Sequence, residues 1–209
     1  MIKIPLFLLL FLSIPAISFA QSGWQLARTD DGIMIYTRRI PSAKFKEVKV
    51  DFEIDATEDQ LITILQDIPR HNTWSYGTKR TYVISKKGKD TIIYYSEIAL
   101  PWPLSNRDAV IQISFAKDSV NNLLHIRAKS VAGVIPQYPD LVRIPSSLAT
   151  WDVTELPNKK LKIEYILSAD PGGDLPGWLV NMGATVGPNN SFRKLRELIA
   201  KMNHRKKIN

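Results

Sequence analysis

Few side chains in this 209-residue sequence have the type and spacing that enzyme chemistry requires. The chain contains no cysteine, which excludes thiolate nucleophiles, disulfides and cysteine-bound metals. His71 follows Asp67 by four residues, a spacing that could orient an imidazole as a general base. At a helix end, however, a surface pair or a cap is the simpler interpretation. His125 alternates with apolar neighbours and should face outward, and no other histidine is close enough in sequence to suggest a metal site.

The motifs that carry catalysis in well-known enzyme classes are missing from the sequence. There is no G-x-S-x-G elbow, no H-E-x-x-H pair, no glycine-rich phosphate loop and no G-x-G-x-x-G fingerprint. We therefore predict no catalytic residue, no metal site and no cofactor.

Glu97 is the polar residue with the clearest functional potential. It lies near Tyr94, Tyr95, Ile98 and Leu100, in a predicted strand that is otherwise largely apolar. A buried carboxylate must be paired or hydrogen-bonded, or its pKa rises until the group is neutral. Two interpretations stay open: Glu97 faces an interior ligand, or it lies at a hydrated edge of the sheet.

A predicted strand over Asp108 to Lys117 has one apolar and one mixed face. Because successive strand residues point to opposite sides, Ala109, Ile111, Ile113 and Phe115 share one face. We expect that face to point inward. It either lines a ligand cavity or fills an ordinary packed interior.

Strand signals along the chain predict an antiparallel sheet. Alternating runs indicate strands over Ile33 to Arg39 and Val48 to Ile54. Three hairpins follow, joining Arg80–Ser85 to Thr91–Leu100, Asp108–Lys117 to Leu123–Ala128, and Ser147–Leu156 to Leu161–Ser168. Hairpins this closely spaced require antiparallel pairing, without helical crossovers.

Two helices complete a predicted α+β fold. A capping box over Thr57 to Gln60 begins a short helix that ends at Pro69, and a loop follows over Arg70 to Lys79. A final helix runs from Pro176 toward Met202 with one apolar stripe, whose members are Trp178, Leu179, Met182, Phe192, Leu195, Leu198, Ile199 and Met202. Gly183, Gly187 and Pro188 should break or kink its middle.

The N-terminus has the features of a secretory signal peptide. Lys3 precedes an apolar run from Ile4 to Leu12, and Ser18-Phe19-Ala20 forms a small-residue cleavage site. The run is shorter than the roughly 20 apolar residues that span a bilayer. We expect residues 1–20 to be removed near Ala20, leaving a domain over residues 21–202 in a periplasmic or secreted location.

The formal net charge of +8 is concentrated at the C-terminus. From Arg193 onward the chain carries seven basic residues and a single acid, Glu197. A basic tail on a nearly neutral body argues against nucleic-acid binding, since a nucleic-acid-binding fold carries its basic stripe across the folded surface. The predicted tail, residues 203–209, either makes transient contact with an anionic membrane surface or forms a solvated final helical turn.

Four segments stand out by their order along the chain. They are Trp74 after the first helix, Trp102-Pro103-Leu104-Ser105-Asn106-Arg107-Asp108 before a strand, Tyr138-Pro139-Asp140-Leu141-Val142-Arg143 before a strand with Trp151, and Asp170-Pro171-Gly172-Gly173-Asp174-Leu175-Pro176-Gly177-Trp178-Leu179-Val180-Asn181 at the final helix. This arrangement resembles the START lipid-transfer domain over nearly the whole mature chain. The resemblance implies a helix-grip fold, in which a curved antiparallel sheet clasps a long C-terminal helix around a tunnel for one lipid-like molecule.

The resemblance also implies a function without catalysis. We expect a monomer that binds a lipid or other hydrophobic molecule internally and carries or sequesters it. The candidate ligand-binding residues are Tyr95, Glu97, Trp102, Ile111, Ile113, Phe115, Arg143, Trp178 and Met182. Helix-grip folds also resemble polyketide cyclases and aromatases, so an enzyme stays an alternative, as does an envelope interaction protein with a filled core.

Resemblance to START sterol carriers bears on Glu97. In those carriers a similarly placed acid pairs with an arginine on the following strand inside the tunnel. Ile113 stands at the matching position here, so the expected pair is absent. Arg127 or Arg143 would then have to supply the cation.

Two segments concern the mouth and the opening of such a tunnel. Trp102 lies between Pro101 and Pro103, which hold its loop extended, so its indole would stand at a tunnel mouth or dip into a membrane interface. The segment Gly172 to Asp174 is a candidate hinge, because glycines absorb large backbone changes.

Overall fold

The computed structural model describes residues 23–41 and 45–208. The predicted signal peptide, residues 1–20, lies outside the described residues. The elements in chain order are β1 (Gln25–Asp30), β2 (Ile33–Arg38), β3 (Glu47–Ile54), α1 (Glu58–Gln66), a 3₁₀ helix (Ile68–Thr73), β4 (Thr78–Lys87), β5 (Thr91–Ile98), β6 (Arg107–Asp118), β7 (Leu123–Ser130), β8 (Val142–Arg143), β9 (Ser146–Glu155), β10 (Leu161–Asp170) and α2 (Gly177–Ile208).

The described strands form one curved sheet in the order β1-β2-β3-β10-β9-β7-β6-β5-β4, and the short β8 pairs in parallel with β6. All other strand pairs are antiparallel. The three predicted hairpins are present as β4–β5, β6–β7 and β9–β10. The prediction of an α+β fold with a curved antiparallel sheet and a long C-terminal helix is therefore confirmed.

The core lies between one face of this sheet and α2. Along β3, alternate residues such as Val50 and Phe52 are buried, as the period of a strand requires. From the helix, Leu195 and Phe192 pack onto them, with the Phe52 and Phe192 ring centroids 4.7 Å apart. This contact holds the C-terminal half of α2 against the sheet.

The first strand and the first helix differ from the sequence prediction. No pattern predicts β1, because its residues are mostly exposed and show no alternation. The predicted capping box of α1 is present, with Thr57 N–H donating to Gln60 Oε1 at 2.9 Å. The helix ends at Gln66 instead of Pro69, and a 3₁₀ helix occupies the start of the predicted loop. Pro69 lies in its first turn, where the missing N–H costs no helical hydrogen bond.

Of the predicted break or kink in the middle of α2, the break does not occur. The helix runs without interruption through Gly183, Gly187 and Pro188. Pro188 cannot donate the usual backbone bond one turn back, which costs about 3 kcal/mol in a helix interior. Burial of Phe192, Leu195 and other apolar side chains of the stripe offsets this cost. The helix also continues through most of the predicted tail, as far as Ile208.

Candidate ligand-binding cavity

A cavity of about 500 Å³ lies between the sheet and the N-terminal half of α2. Its wall comes from the segment after α1, from inward-facing residues of β5, β6, β9 and β10, and from α2. Most of the lining side chains are apolar. Small-molecule sites in proteins fall in the same range, about 300–1,000 Å³, and share this apolar character.

Strand β6 forms one wall as its alternation predicts. Ala109, Ile111 and Ile113 line the cavity, and the fourth predicted residue, Phe115, lies in the adjoining core without reaching it. Ile111 stays partly accessible because it borders the open space. Tyr94 on β5 pairs with Ile111 in the register of the sheet and lines the cavity beside it.

The helix α2 covers the cavity from the other side. Leu179, Met182 and Phe192 line it, so the predicted site residue Met182 lies beside Ile111 and Ile113 in one cavity. The side chain of Trp178, another predicted site residue, lies outside the described residues.

An aromatic cluster with polar atoms forms part of the wall. His71 is buried, and its ring centroid lies 5.2 Å from that of Trp74 and 5.5 Å from that of Tyr94. The imidazole Nε2 donates to the backbone oxygen of Leu65 at 3.0 Å, and burial lowers the pKa of His71 below its ordinary value. The interpretation of His71 as half of a surface pair is therefore wrong. Asp67 instead lies 3.6 Å from the exposed Arg70.

Tyr165 on β10 is a cavity residue that sequence reasoning missed. Its ring packs edge-on against Trp151 and Phe192, at centroid distances of 5.1 Å from each. Burial raises the pKa of the Tyr165 hydroxyl well above its usual range, and electrostatic interaction with Tyr94 raises it further. The only available signal was the position of Tyr165 in an alternating strand, because its cavity neighbours are distant in sequence.

Tyr95 and Glu97 lie on the opposite face of β5, so their predicted place at the interior site is corrected. Tyr95 is fully buried there, stacked 4.8 Å from Tyr82 and edge-on to Tyr138 at 5.6 Å. A separate small cluster formed around Ile93, Tyr95 and Val110 covers this outer face. Neither Tyr95 nor Glu97 lines the cavity.

Glu97 is held by groups of the outer face. Lys79 Nζ and Asn106 Nδ2 each lie 3.0 Å from its Oε1, and Arg80 lies 3.5 Å from Oε2. Burial would raise the pKa of Glu97, but the hydrogen bonds from Lys79 and Asn106 outweigh it and hold the pKa below its ordinary value. The carboxylate is thus ionised and paired, without a role in the cavity.

Arg143 does not supply the cation that was expected for Glu97. It donates to both carboxylate oxygens of Asp108, at 2.7 and 3.0 Å, and also lies outside the cavity. Arg127, the other candidate, is exposed on β7. The cations beside Glu97 come from β4 instead.

Trp102 stands apart from the buried site residues. Its side chain is 92% exposed in the loop between β5 and β6. The preceding residue, Pro101, lines the cavity, so the exposed indole lies beside the cavity and not inside it.

Two further properties concern the described ranges only. Within residues 23–41 and 45–208, no group of three or more His, Cys, Asp or Glu side chains could hold a metal ion. No helix in these ranges combines the length and the apolar character needed to cross a membrane.

The comparison with known proteins agrees with the geometry. The family model for the START domain matches residues 15–204, which is most of the chain. The chain belongs to the START domain family. The sequence resemblance is thereby confirmed.

Relatives of this START domain occur in bacteria and mammals. An uncharacterized protein of Pseudomonas aeruginosa is 25% identical over 179 residues, covering 85% of this chain and 87% of the relative. The phosphatidylcholine transfer protein of Mus musculus is 26% identical over 187 residues, covering 87% of this chain and 85% of the relative. The crystal structure of a STAR-related lipid transfer protein from Xanthomonas axonopodis superposes with a TM-score of 0.78 at 25% identity, covering 85% of this chain and 99% of that one.

Proposed function

We propose that this START domain protein encloses one lipid-like molecule in its cavity and carries or sequesters it without catalysing a reaction. The observation that carries the proposal is the apolar cavity of about 500 Å³ between the sheet and α2. The names of the mouse and Xanthomonas relatives, which refer to lipid transfer, support a lipid as the cargo.

Affinity would come from burial of the apolar part of the cargo, at ~25 cal/mol per Å² removed from water. Inside the cavity such a cargo would contact Ile111, Ile113 and Met182. Release then requires the wall to open where cargo and membrane can meet.

The N-terminal half of α2 is the part of the wall best suited to open. The C-terminal half is tied down, since Arg196 donates to backbone oxygens of Glu53 and Asp31, and Asn203 donates to that of Asp55. The N-terminal half follows the candidate hinge, where Gly172 has a φ of 70° and Gly173 a φ of 62°. Backbone at such positive φ is accessible to glycine with little strain, which suits a segment that must rearrange.

The absence of acids from the cavity wall supports a carrier over an enzyme. No Asp or Glu is among the described residues that line it. His71 could act as a base through Nδ1, since its Nε2 donates to the Leu65 carbonyl, but no carboxylate among the described residues lines the cavity to act with it. The cyclase-like alternative needs at least two acid–base groups that converge on one cavity. The other alternative, an envelope interaction protein with a filled core, does not agree with the open volume of the cavity.

Location and membrane contact belong to the same proposal. The features of residues 1–20 favour export, to the periplasm or outside the cell. The basic residues of the C-terminal end would favour transient residence at an anionic membrane surface, where each contributes on the order of 1 kcal/mol. The protein would act there as a monomer.

Native mass spectrometry of gently purified protein, followed by lipid analysis of what dissociates on denaturation, tests the proposal. We expect a stoichiometric lipid. The variant Ile111→Trp should fill the cavity and abolish the adduct, whereas Gln112→Trp, on the other face of the same strand, should retain it. A protein that is bare, and that also takes up no member of a panel of fluorescent lipids, would overturn the proposal.

A further inference from the structure

The cavity wall contains hydrogen-bonding groups that no described residue satisfies. Trp74 is 7% exposed, and its buried Nε1–H has no acceptor among the described residues. Tyr94 and Tyr165 line the same cavity, and the hydroxyl of neither bonds to another described residue. A buried donor left without a partner costs about 1–3 kcal/mol, so a native protein rarely keeps one without a reason.

Two of these groups lie close to one another in the wall. Trp74 and Tyr94 both contact the His71 ring, and Tyr165 lines the same cavity. His71 donates through Nε2 to the backbone, so in its neutral form the other ring nitrogen is an acceptor. We call these four residues the polar end of the cavity, whose other lining side chains are mostly apolar.

The polar end is uncharged. Among the described residues that line the cavity, Lys46 is the only Lys, Arg, Asp or Glu, and it is exposed. Burial keeps the Tyr94 and Tyr165 hydroxyls protonated by raising the pKa of each. A phosphate or carboxylate brought to this end would lose its hydration without gaining a counter-ion, which is costly in an apolar site.

We propose that the cargo is an uncharged amphiphile, with an apolar chain in the cavity and a carbonyl or hydroxyl oxygen that accepts hydrogen bonds from Trp74, Tyr94 and Tyr165. This inference rests on the proposed function and specifies its cargo class. It separates this site from one built for a charged headgroup, which would place a buried guanidinium, ammonium or carboxylate beside the ligand.

Three probes with the same oleoyl chain test the inference: 1-oleoylglycerol is neutral, oleate is anionic, and oleoyl lysophosphatidylcholine is zwitterionic. Their binding to delipidated full-length protein is measured at pH 7.5 by equilibrium dialysis, below the concentrations at which they aggregate. We expect 1-oleoylglycerol to bind at least about tenfold more tightly than either other probe, because only it avoids burying a charge.

Conservative variants locate the polar contact. Tyr94→Phe and Tyr165→Phe each remove one hydroxyl and keep the ring. Each should lower the affinity for 1-oleoylglycerol by about fivefold, as expected for the loss of one hydrogen bond. Tyr95→Phe is the matched control, because the neighbouring hydroxyl lies on the opposite face of β5 and its loss should leave binding unchanged. Melting temperatures show whether each variant folds.

The outcomes separate the inference from the proposed function. Equal or tighter binding of oleate or lysophosphatidylcholine would overturn the inference while leaving a lipid carrier intact. Unchanged binding by both cavity Phe variants would overturn the assigned hydrogen bonds. If none of the three probes binds, the inference falls, and the native mass spectrum decides whether the proposed function falls with it.

Discussion

Glu97 on β5 and Asp108 on β6 lie directly opposite each other in the sheet, and both carboxylates are buried. Like charges in such a cross-strand pair destabilise a sheet unless cations neutralise them. The two acids have separate partners: Lys79 and Arg80 flank Glu97, while Arg143 forms a bidentate pair with Asp108. This polar network lies on the face away from the cavity, which makes it a determinant of stability.

Removal of the Arg143 guanidinium should therefore destabilise the fold. We expect Arg143→Met to lower the free energy of unfolding by about 3–5 kcal/mol, because it strands the fully buried Asp108 without a counter-ion. Urea denaturation followed by circular dichroism at pH 7 measures the loss. Arg28→Met is the matched control: it breaks a pair with Asp30 that is more than one-third exposed, and should cost less than about 1 kcal/mol. Similar losses in both variants would contradict the prediction.

The paired Glu97 predicts a pH dependence of stability. Hydrogen bonds hold its folded-state pKa below the ordinary 4.5, so the unfolded chain binds the proton more tightly. The stabilisation is present above about pH 5 and is lost as the pH falls through the folded-state value. The difference in unfolding free energy between the native protein and Glu97→Gln should thus shrink between pH 5 and pH 3. A difference in unfolding free energy that stays constant from pH 5 to pH 3 would contradict this prediction.

The sequence pattern allowed the fold and one wall of the cavity to be predicted. In β6 the polar residues Gln112 and Ser114 mark the outer face, so alternation alone assigns Ile111 and Ile113 to the interior. Hairpin spacing and the apolar stripe of α2 likewise predict the antiparallel sheet and its helix. Amphipathic elements with one solvated side are the ones that a sequence specifies best.

The polar end of the cavity could not be predicted in the same way. β5 is buried on both faces, because Val131 and Ile135 pack over Tyr95 on the outer side. With no solvated face, alternation cannot tell Tyr94 from Tyr95, and the structure places Tyr94 on the cavity wall instead of the predicted Tyr95. Tyr94 and Tyr165 reach one cavity only through the strand order of the sheet, for which no local pattern gives a signal.

Arg196 should anchor the C-terminal half of α2. Its guanidinium donates to the backbone oxygens of Glu53 and Asp31, which fixes the helix to two strand ends. We expect Arg196→Met to lower the free energy of unfolding by about 3 kcal/mol, since hydrogen bonds from a charged donor are worth about 1.5–3 kcal/mol each and water replaces part of the loss. Arg193→Met, an exposed arginine of the same helix, should cost less than about 0.5 kcal/mol. Equal costs in the two variants would argue against the anchor.

Trp102 should govern attachment to lipid surfaces without affecting stability. Its indole is 92% exposed beside Pro101, which lines the cavity, and tryptophan favours the membrane interface. We expect Trp102→Ala to reduce co-sedimentation with anionic vesicles by about tenfold, because the apolar area that a Trp buries exceeds that of any other side chain. The melting temperature should not change. Val120→Ala is the control, because Val120 is also 92% exposed but lies in the β6–β7 turn at the far end of β6. Equal losses of co-sedimentation in both variants would mean that any exposed apolar residue promotes vesicle binding. The surface around Trp102 would then have no special role in membrane contact.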